Sequence, residues 1–224
     1  SDRAFPTSAR IGYYDMGGLP GQEALAKPIE FLGHSAVPVS NLTAQALARL
    51  DVLVVFNPET SEHGARYQAA LPRITDAVNR GLSLLVFDRK VEDAQMILPG
   101  AAGIRFNGDA EHRDVINLAS RNLLTEGPAG SLDGHALDNG YSSQHGYAET
   151  RSLPAGSEVL LTRNTADEAV VFSYPVGLGR VTYGSIPLDH FLCNQSANTA
   201  FADVLAPNAV AYAAHFAARP TLLV

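Results

Sequence analysis

Residues 82–90, with the sequence LSLLVFDRK, constrain the fold of this chain more than any other stretch. A short apolar run after Gly81 ends abruptly at the charged residues Asp88, Arg89 and Lys90. An unbroken apolar run of this length predicts a strand that is buried on both faces, as in a parallel sheet. Open α/β sheets bind their ligands beyond the carboxyl ends of the strands. The sequence therefore predicts that these charges lie at the edge where binding or chemistry would occur.

Strands and helices alternate through the first half of the chain. The patterns predict strands at residues 10–15, 37–39 and 51–58, and helices at residues 22–32, 43–50, 67–79 and 91–97. Strands and helices that alternate at this spacing are typical of right-handed βαβ units. We therefore predict an α/β fold of three layers, with a doubly wound, mostly parallel sheet of the flavodoxin-like type.

The second half of the chain has a different character. Residues 101–158 are rich in Gly, Asn, Ser and Asp, which predicts a loop-rich insertion that could include a β-hairpin. Strands return at residues 158–162 and 169–174, and residues 174–185 predict a late hairpin. A closing helix is expected at about residues 197–218, kinked or broken at Pro207. The 224 residues suffice for a single domain of this kind.

The charge balance limits the classes of partner. Lys and Arg number 16 against 23 Asp and Glu, and no basic cluster is longer than Arg89-Lys90. We therefore expect neither nucleic-acid binding nor membrane insertion, the latter because no apolar run approaches the roughly 18 residues of a spanning helix. Cys193 is the sole cysteine, which suits a reducing compartment and equally suits secreted bacterial proteins that avoid cysteine.

Polar side chains follow several of the predicted strands. They are Asp15, Asn57, Glu59, Asp88, Arg89, Asp189 and His190. Because the carboxyl ends of parallel strands share one edge, we expect several of them to meet in one crevice. Their oxygen atoms suit Ca²⁺ or Mg²⁺, and Asp189 or His190 could supply acid–base chemistry on a sugar or ester. The alternative is that the charges pair with one another, as Asp88 would with Arg89 or Lys90, and that His190 only caps the following turn.

A second candidate site lies in residues 137–147. Asp138-Asn139-Gly140 is similar to part of a calcium loop, so Asp138 and Asn139 are candidate metal ligands. The stretch lacks the alternating ligands of an EF-hand, and Asn-Gly is also a common turn signal. His145 could fold over the crevice as part of a lid and reach Asp88 or Asp189. The candidate catalytic residues are therefore Asp88, Asp189, His190 and His145.

The order of the elements resembles the class I glutamine amidotransferase-like superfamily, including its ThuA-like branch. Residues 84–90 and the hairpin at 174–185 carry this resemblance. In active members the matching strand ends at a nucleophilic cysteine, where this sequence has Asp88 or Arg89. The catalytic histidine of active members corresponds to residues 186–190, which include Asp189 and His190. A carboxylate lacks the nucleophilicity and leaving-group behaviour of a thiolate, so this departure argues against amidotransferase chemistry.

Four shorter strings resemble a module of large secreted bacterial proteins that carry RTX or VCBS repeats. They are residues 84–90, 98–100, 137–147 and 183–192. This resemblance implies an extracellular or cell-surface location, with other domains of a larger parent chain as partners. The alternative location is the cytoplasm.

Together the two resemblances imply a non-catalytic or diverged module with a binding or structural role. A small molecule or a glycan is the candidate ligand, and Ca²⁺ is the candidate cofactor. The alternative function is a hydrolase that acts on a carbohydrate or ester through the carboxylates and histidines of the crevice.

Overall fold

The computed structural model describes residues 9–17, 22–58, 64–113, 117–138, 143–194 and 198–217. The strands of the first half are β1 (Ile11–Tyr14), β2 (Ala36–Val39), β3 (Val52–Phe56), β4 (Ser83–Phe87) and β5 (Phe106–Arg113). Those of the second half are β6 (Asn117–Leu118), β7 (Glu126–Gly127), β8 (Gly130–Ser131), β9 (Gln144–Glu149), β10 (Glu158–Thr162), β11 (Glu168–Val176) and β12 (Gly179–Gly184). The α-helices are α1 (Lys27–Phe31), α2 (Ala44–Leu47), α3 (Ala65–Asn79), α4 (Leu188–Cys193) and α5 (Ala206–His215). Among these described helices, none has the length and apolar character needed to cross a membrane.

One large sheet organises the part of the chain that the structure describes. Its main path runs β2-β1-β3-β4-β12-β11-β10-β6. The strands β2, β1, β3, β4 and β12 are parallel neighbours, whereas β11, β10 and β6 continue the path antiparallel. β2 is an edge strand, which suits Pro38 because proline cannot donate a ladder hydrogen bond. The hairpin of β11 and β12 and the α/β fold with three layers are both confirmed.

The central strands are covered on both faces, as their unbroken apolar sequences require. In β3, Val52, Val54 and Phe56 pack into the core cluster that includes residues of α1 and α5. Leu53 and Val55 face the opposite cluster, which includes residues of α2 and α3. This alternation follows from the two-residue period of a strand, and it fixes the register of the sheet between its two helical layers.

The helix predicted at residues 22–32 forms as two pieces. A 3₁₀-helix covers Gln22–Ala26 and α1 follows it directly. Pro28 has no N–H to donate to the carbonyl group of Ala24, which favours a change of helix type at this point. Gly33 follows with a φ of 81°, the left-handed conformation that commonly ends a helix.

The helix predicted at residues 91–97 is also different, because Val91–Met96 forms a 3₁₀-helix. Asp93 interrupts it with non-helical backbone angles of −107° and 15°. The predicted helix is therefore present over nearly the same residues, but it is of the tighter 3₁₀ type.

The closing helix is continuous, so of the kink or break expected at Pro207 only the break is ruled out. Phe201–Leu205 is π-helical and α5 continues without a break. The Ala206 N–H donates to the carbonyl oxygen of Phe201, five residues earlier. This wider turn carries the helix past Pro207, which stands at the start of α5, so the predicted break is absent.

The region predicted as a loop-rich insertion contains a β-hairpin excursion. β7 and β8 form this short hairpin. Outside it, β5 and β9 pair antiparallel, and β9 also pairs with β11. The Phe106 ring of β5 packs edge-on against Tyr183, with ring centroids 5.3 Å apart. This contact joins β5 to β12, the strand that ends at the candidate site.

Candidate functional site

The strands β1, β3, β4 and β12 end at one edge of the sheet. Backbone hydrogen bonds connect the residues that follow them: the Asn57 N–H donates to Phe87 O (2.5 Å), and the Asp88 N–H donates to Gly184 O (2.9 Å). The His145 N–H reaches the same edge and donates to Ser185 O at 2.8 Å. These contacts hold the strand ends in a fixed arrangement, so side chains from distant parts of the sequence meet here.

Asp88 is a buried acceptor at the end of β4, with 1% of its surface exposed. Its Oδ2 accepts a hydrogen bond from the Tyr183 hydroxyl group at 2.9 Å, and its Oδ1 accepts from the Lys90 N–H at 2.9 Å. Burial, and then the neighbouring Asp88 carboxylate, raise the pKa of Tyr183 well above its ordinary value. The phenol therefore stays protonated and able to donate to Asp88.

Asp189 connects three elements at the same edge. It lies in the first turn of α4. Its Oδ2 accepts from Arg89 Nη2 at 2.5 Å, and its Oδ1 accepts from Asn57 Nδ2 at 2.7 Å. The Arg89 contact is a charge-assisted hydrogen bond, the stronger kind. Asn57, Arg89 and Asp189, which we call the strand-end crevice, are thus brought together as their positions after the predicted strands indicated.

The strand-end crevice keeps polar atoms that its internal contacts do not use. Asn57 is 1% exposed and has a φ of 50°, unusual for a residue other than glycine. Asn57 Oδ1 and Arg89 Nε are buried and make no hydrogen bond within the described part of the chain. Each such group costs about 1–3 kcal/mol, and strained backbone of this kind persists mainly at functional sites.

Two more buried side chains have unused polar atoms that the sequence did not predict, and one of them, Tyr67, lies near Asp88. Tyr67, at the start of α3, is fully buried, and its hydroxyl group makes no hydrogen bond within the described residues. Burial raises its pKa, and the nearby charges of Tyr14 and Asp88 add to the shift. Gln22 accepts from the Met16 N–H at 2.7 Å, while its buried Nε2 is left unused. In the sequence, Tyr67 occupies an apolar position of a helical pattern and therefore resembles a core residue.

The other candidates of this edge take part less directly. Asp15 is half-buried and accepts from the Gly17 N–H at 2.9 Å. The His190 side chain is exposed, and its Nδ1 lies 3.1 Å from Asn194 Nδ2. His145 is half-buried in β9, so it belongs to the sheet and not to a lid. Glu59 lies outside the described residues.

The second candidate site is only partly described. Asp138 Oδ2 lies 3.0 Å from His135 Nδ1, and this hydrogen bond raises the pKa of His135. The carbonyl oxygen of Asp138 accepts from Asn198 Nδ2 at 2.8 Å. Asn139 lies outside the described residues. Among the residues that are described, no group of three or more His, Cys, Asp or Glu could hold a metal ion, and the calcium site stays a prediction.

No family model matches the sequence, and no curated protein matches it. Solved structures do share its fold. The cytoplasmic protein STM1381 from Salmonella typhimurium LT2 aligns at 14% identity and a TM-score of 0.61, over 94% of this chain and 100% of that one. A putative GMP synthase protein from Thermoplasma acidophilum aligns at 11% identity and a TM-score of 0.54, over 93% of this chain and 96% of that one.

A third solved structure is the exo-β-1,4-mannosidase Op5Man5 from Opitutaceae bacterium strain TAV5. It aligns at 13% identity and a TM-score of 0.56, over 95% of this chain and 36% of that one. At such identities these likenesses show the fold alone, and the likeness to the putative GMP synthase protein is consistent with the amidotransferase-like fold. They show no link to RTX or VCBS proteins. This chain spans about a third of the mannosidase.

Proposed function

We propose that this chain is a non-catalytic, diverged module with an amidotransferase-like fold, and that it binds a small polar ligand at the strand-end crevice. The proposal rests on the hydrogen bonding of the polar groups at this edge. Both carboxylates are engaged in internal hydrogen bonds, whereas the buried atoms Asn57 Oδ1 and Arg89 Nε have no partner among the described residues.

The environment of the carboxylates argues against catalysis. A nucleophile must reach its substrate, and Asp88 is 1% exposed and occupied by Tyr183 and the Lys90 N–H. Both carboxylate oxygens of Asp189 already accept hydrogen bonds, one from Arg89 and one from Asn57. The described hydrogen bond of the His190 ring joins it to Asn194 and not to a carboxylate. Charge pairs that fill the crevice favour a binding role over the hydrolase alternative.

The unused atoms indicate the kind of ligand. Arg89 Nε–H is a donor and Asn57 Oδ1 is an acceptor, and Asp189 contacts both side chains. A neutral group that both donates and accepts, such as a carboxamide or a hydroxyl, would satisfy the two atoms together. The Arg89 side chain is 36% exposed, which leaves an approach from solvent.

The wider setting of the module is part of the same proposal. The likeness to about a third of a mannosidase supports a role as one part of a larger parent chain, because the fold occurs there inside a longer protein. The cellular location stays a prediction. STM1381 is named a cytoplasmic protein, which agrees with the cytoplasmic alternative, and nothing in the comparisons supports an extracellular location.

Thermal melts with added polar compounds test the binding role. The probes are glutamine, asparagine, acetamide and glycerol, each at millimolar concentration. A ligand present at 100 times its Kd adds about 2.7 kcal/mol of stability, so we expect at least one probe to raise the Tm by several degrees.

The variant Arg89→Lys keeps the charge beside Asp189 but removes the Nε–H donor. It should abolish the rise, whereas the remote exposed substitution Arg49→Lys should preserve it. A Tm that no probe changes, or a rise that persists in Arg89→Lys, would contradict the proposal.

A further inference from the structure

A second cavity lies between α1, α4 and the closing helix, and α4 also carries Asp189 of the strand-end crevice. We call it the α1–α4 cleft. Its volume is about 360 Å³, within the range typical of small-molecule sites. Its walls include Lys27, Phe31, Phe191, Thr199 and Asp203. None of these residues belongs to the crevice proposed above, so the two sites can be tested separately.

Aromatic rings form part of the wall. Phe191 is 3% exposed and stacks on Phe201 with ring centroids 4.0 Å apart and planes inclined by 6°, which fixes its orientation. Phe31 has a very different position, because 57% of its surface is exposed. Leaving a large ring in water sacrifices the stabilisation that its burial would give. An exposed ring at the mouth of a cleft is suited to stacking on a ligand.

Several polar side chains of the cleft make no hydrogen bonds with other described residues, and their charges cancel. Lys27, Thr199 and Asp203 line the cleft, and their side chains make no hydrogen bond or ion pair with any described residue. One positive and one negative charge give the wall no net charge. The set offers an ammonium donor, a hydroxyl group and a carboxylate acceptor. This balance disfavours a ligand with a strong net charge and favours a neutral one with several hydrogen-bonding groups.

The π-helical turn before Pro207 borders the cleft. Ala202, Asp203 and Pro207 all line it. Proline has no N–H, so the carbonyl groups of Ala202 and Asp203 lose the donor that position 207 would supply in a π-helical or an α-helical turn. Such π-helical turns frequently occur at functional sites.

We infer that the α1–α4 cleft binds a small neutral saccharide, which stacks one apolar ring face on Phe31 and hydrogen-bonds to Lys27, Thr199 and Asp203. A sugar ring carries an apolar C–H face and several hydroxyl groups that both donate and accept. The cleft matches both features of a sugar. Its exposed aromatic ring suits the C–H face, and its hydrogen-bond donor and acceptor side chains, which carry no net charge together, suit the hydroxyl groups.

Saturation-transfer difference NMR on the full chain tests this inference. The probes are glucose, galactose, mannose and the disaccharide mannobiose. At least one should receive saturation from the wild-type protein. Phe31→Ala should weaken that binding about ten-fold, which is the upper range for a single aromatic contact. Because Phe31 is largely exposed, the variant is expected to fold.

Two controls separate the outcomes. Leu178→Ala removes another exposed apolar side chain, 73% exposed in the turn between β11 and β12, and should bind like the wild type. Arg89→Lys alters only the strand-end crevice and should also leave saccharide binding unchanged. Absence of saturation transfer with every probe, or equal transfer in Phe31→Ala, would overturn the inference. So would a dimer in solution that Phe31→Ala dissociates, since a second copy would then occupy the cleft.

Discussion

Replacing Tyr183 with phenylalanine tests the structural role assigned to Asp88. The substitution deletes only the hydroxyl group that donates to Asp88 Oδ2 at 2.9 Å. Tyr183 is 0% exposed and Asp88 is 1% exposed, so water cannot readily replace the lost donor. Asp88 would keep the hydrogen bond from the Lys90 N–H but would lose the one from the phenol.

The expected loss follows from the charge of the acceptor. A hydrogen bond to an ionised group contributes about 1.5–3 kcal/mol, whereas one between neutral groups contributes about 0.5–1.5 kcal/mol. We therefore expect Tyr183→Phe to lower the free energy of unfolding by about 2 kcal/mol. Tyr174→Phe is the matched control, because the Tyr174 hydroxyl group is buried and donates at 2.7 Å to the neutral carbonyl oxygen of Pro99. That variant should lose about 1 kcal/mol.

Urea denaturation followed by circular dichroism measures both losses, provided that the slope of the transition stays constant. In an Asp88→Asn background the acceptor at position 88 is neutral, so Tyr183→Phe should cost only about 1 kcal/mol. Equal losses for Tyr183→Phe and Tyr174→Phe in the wild-type background would refute the view that Asp88 is a buried, charged acceptor.

Further predictions concern the closing helix, alkaline pH and calcium. Asn208 is fully buried, accepts a hydrogen bond from the Ala129 N–H, and donates to the carbonyl groups of Leu124 and Gly130. Asn208→Ala should therefore lower the free energy of unfolding, measured in urea, by about 3 kcal/mol. A loss below about 1 kcal/mol would contradict this role. Burial raises the pKa of Tyr67, Tyr174 and Tyr183 above the ordinary value near 10. The stability gained from keeping them neutral is complete below about pH 10 and is lost at higher pH, so urea midpoints should fall from neutral pH to about pH 11, and unfolding at the higher pH should increase tyrosinate absorbance. A constant midpoint would argue against these shifts. The calcium hypothesis at Asp138 and Asn139 predicts a Tm several degrees higher in millimolar Ca²⁺ than in EDTA, and an unchanged Tm would remove it.

The sequence predicted the centre of this fold because two of its strands carry strong signals. The unbroken apolar runs of β3 and β4 require cover on both faces, and the helices between them supply it. The same reasoning placed Asn57, Arg89 and Asp189 at one edge, since the carboxyl ends of parallel strands meet there. The structure places these side chains within hydrogen-bonding distance of one another.

Other features were beyond the sequence patterns for identifiable reasons. The apolar period at residues 22–32 predicts a single helix, because hydropathy carries no information about the N–H group that Pro28 lacks. β9 alternates buried and half-buried residues, yet polar Gln144 is one of the buried ones, so its alternation is invisible in hydropathy. Tyr67 and Tyr183 occupy apolar core positions, and only the fold places Asp88 beside them.

Hydrolysis by the wild-type chain and by Asp88→Asn tests the central claim most directly. The substrates are glutamine, an aryl ester and a series of aryl glycosides, and circular dichroism confirms that both proteins are folded. A non-catalytic module predicts that the wild-type protein releases product no faster than Asp88→Asn with any substrate. Turnover by the wild-type protein that a folded Asp88→Asn variant loses would contradict the account and would favour the hydrolase alternative.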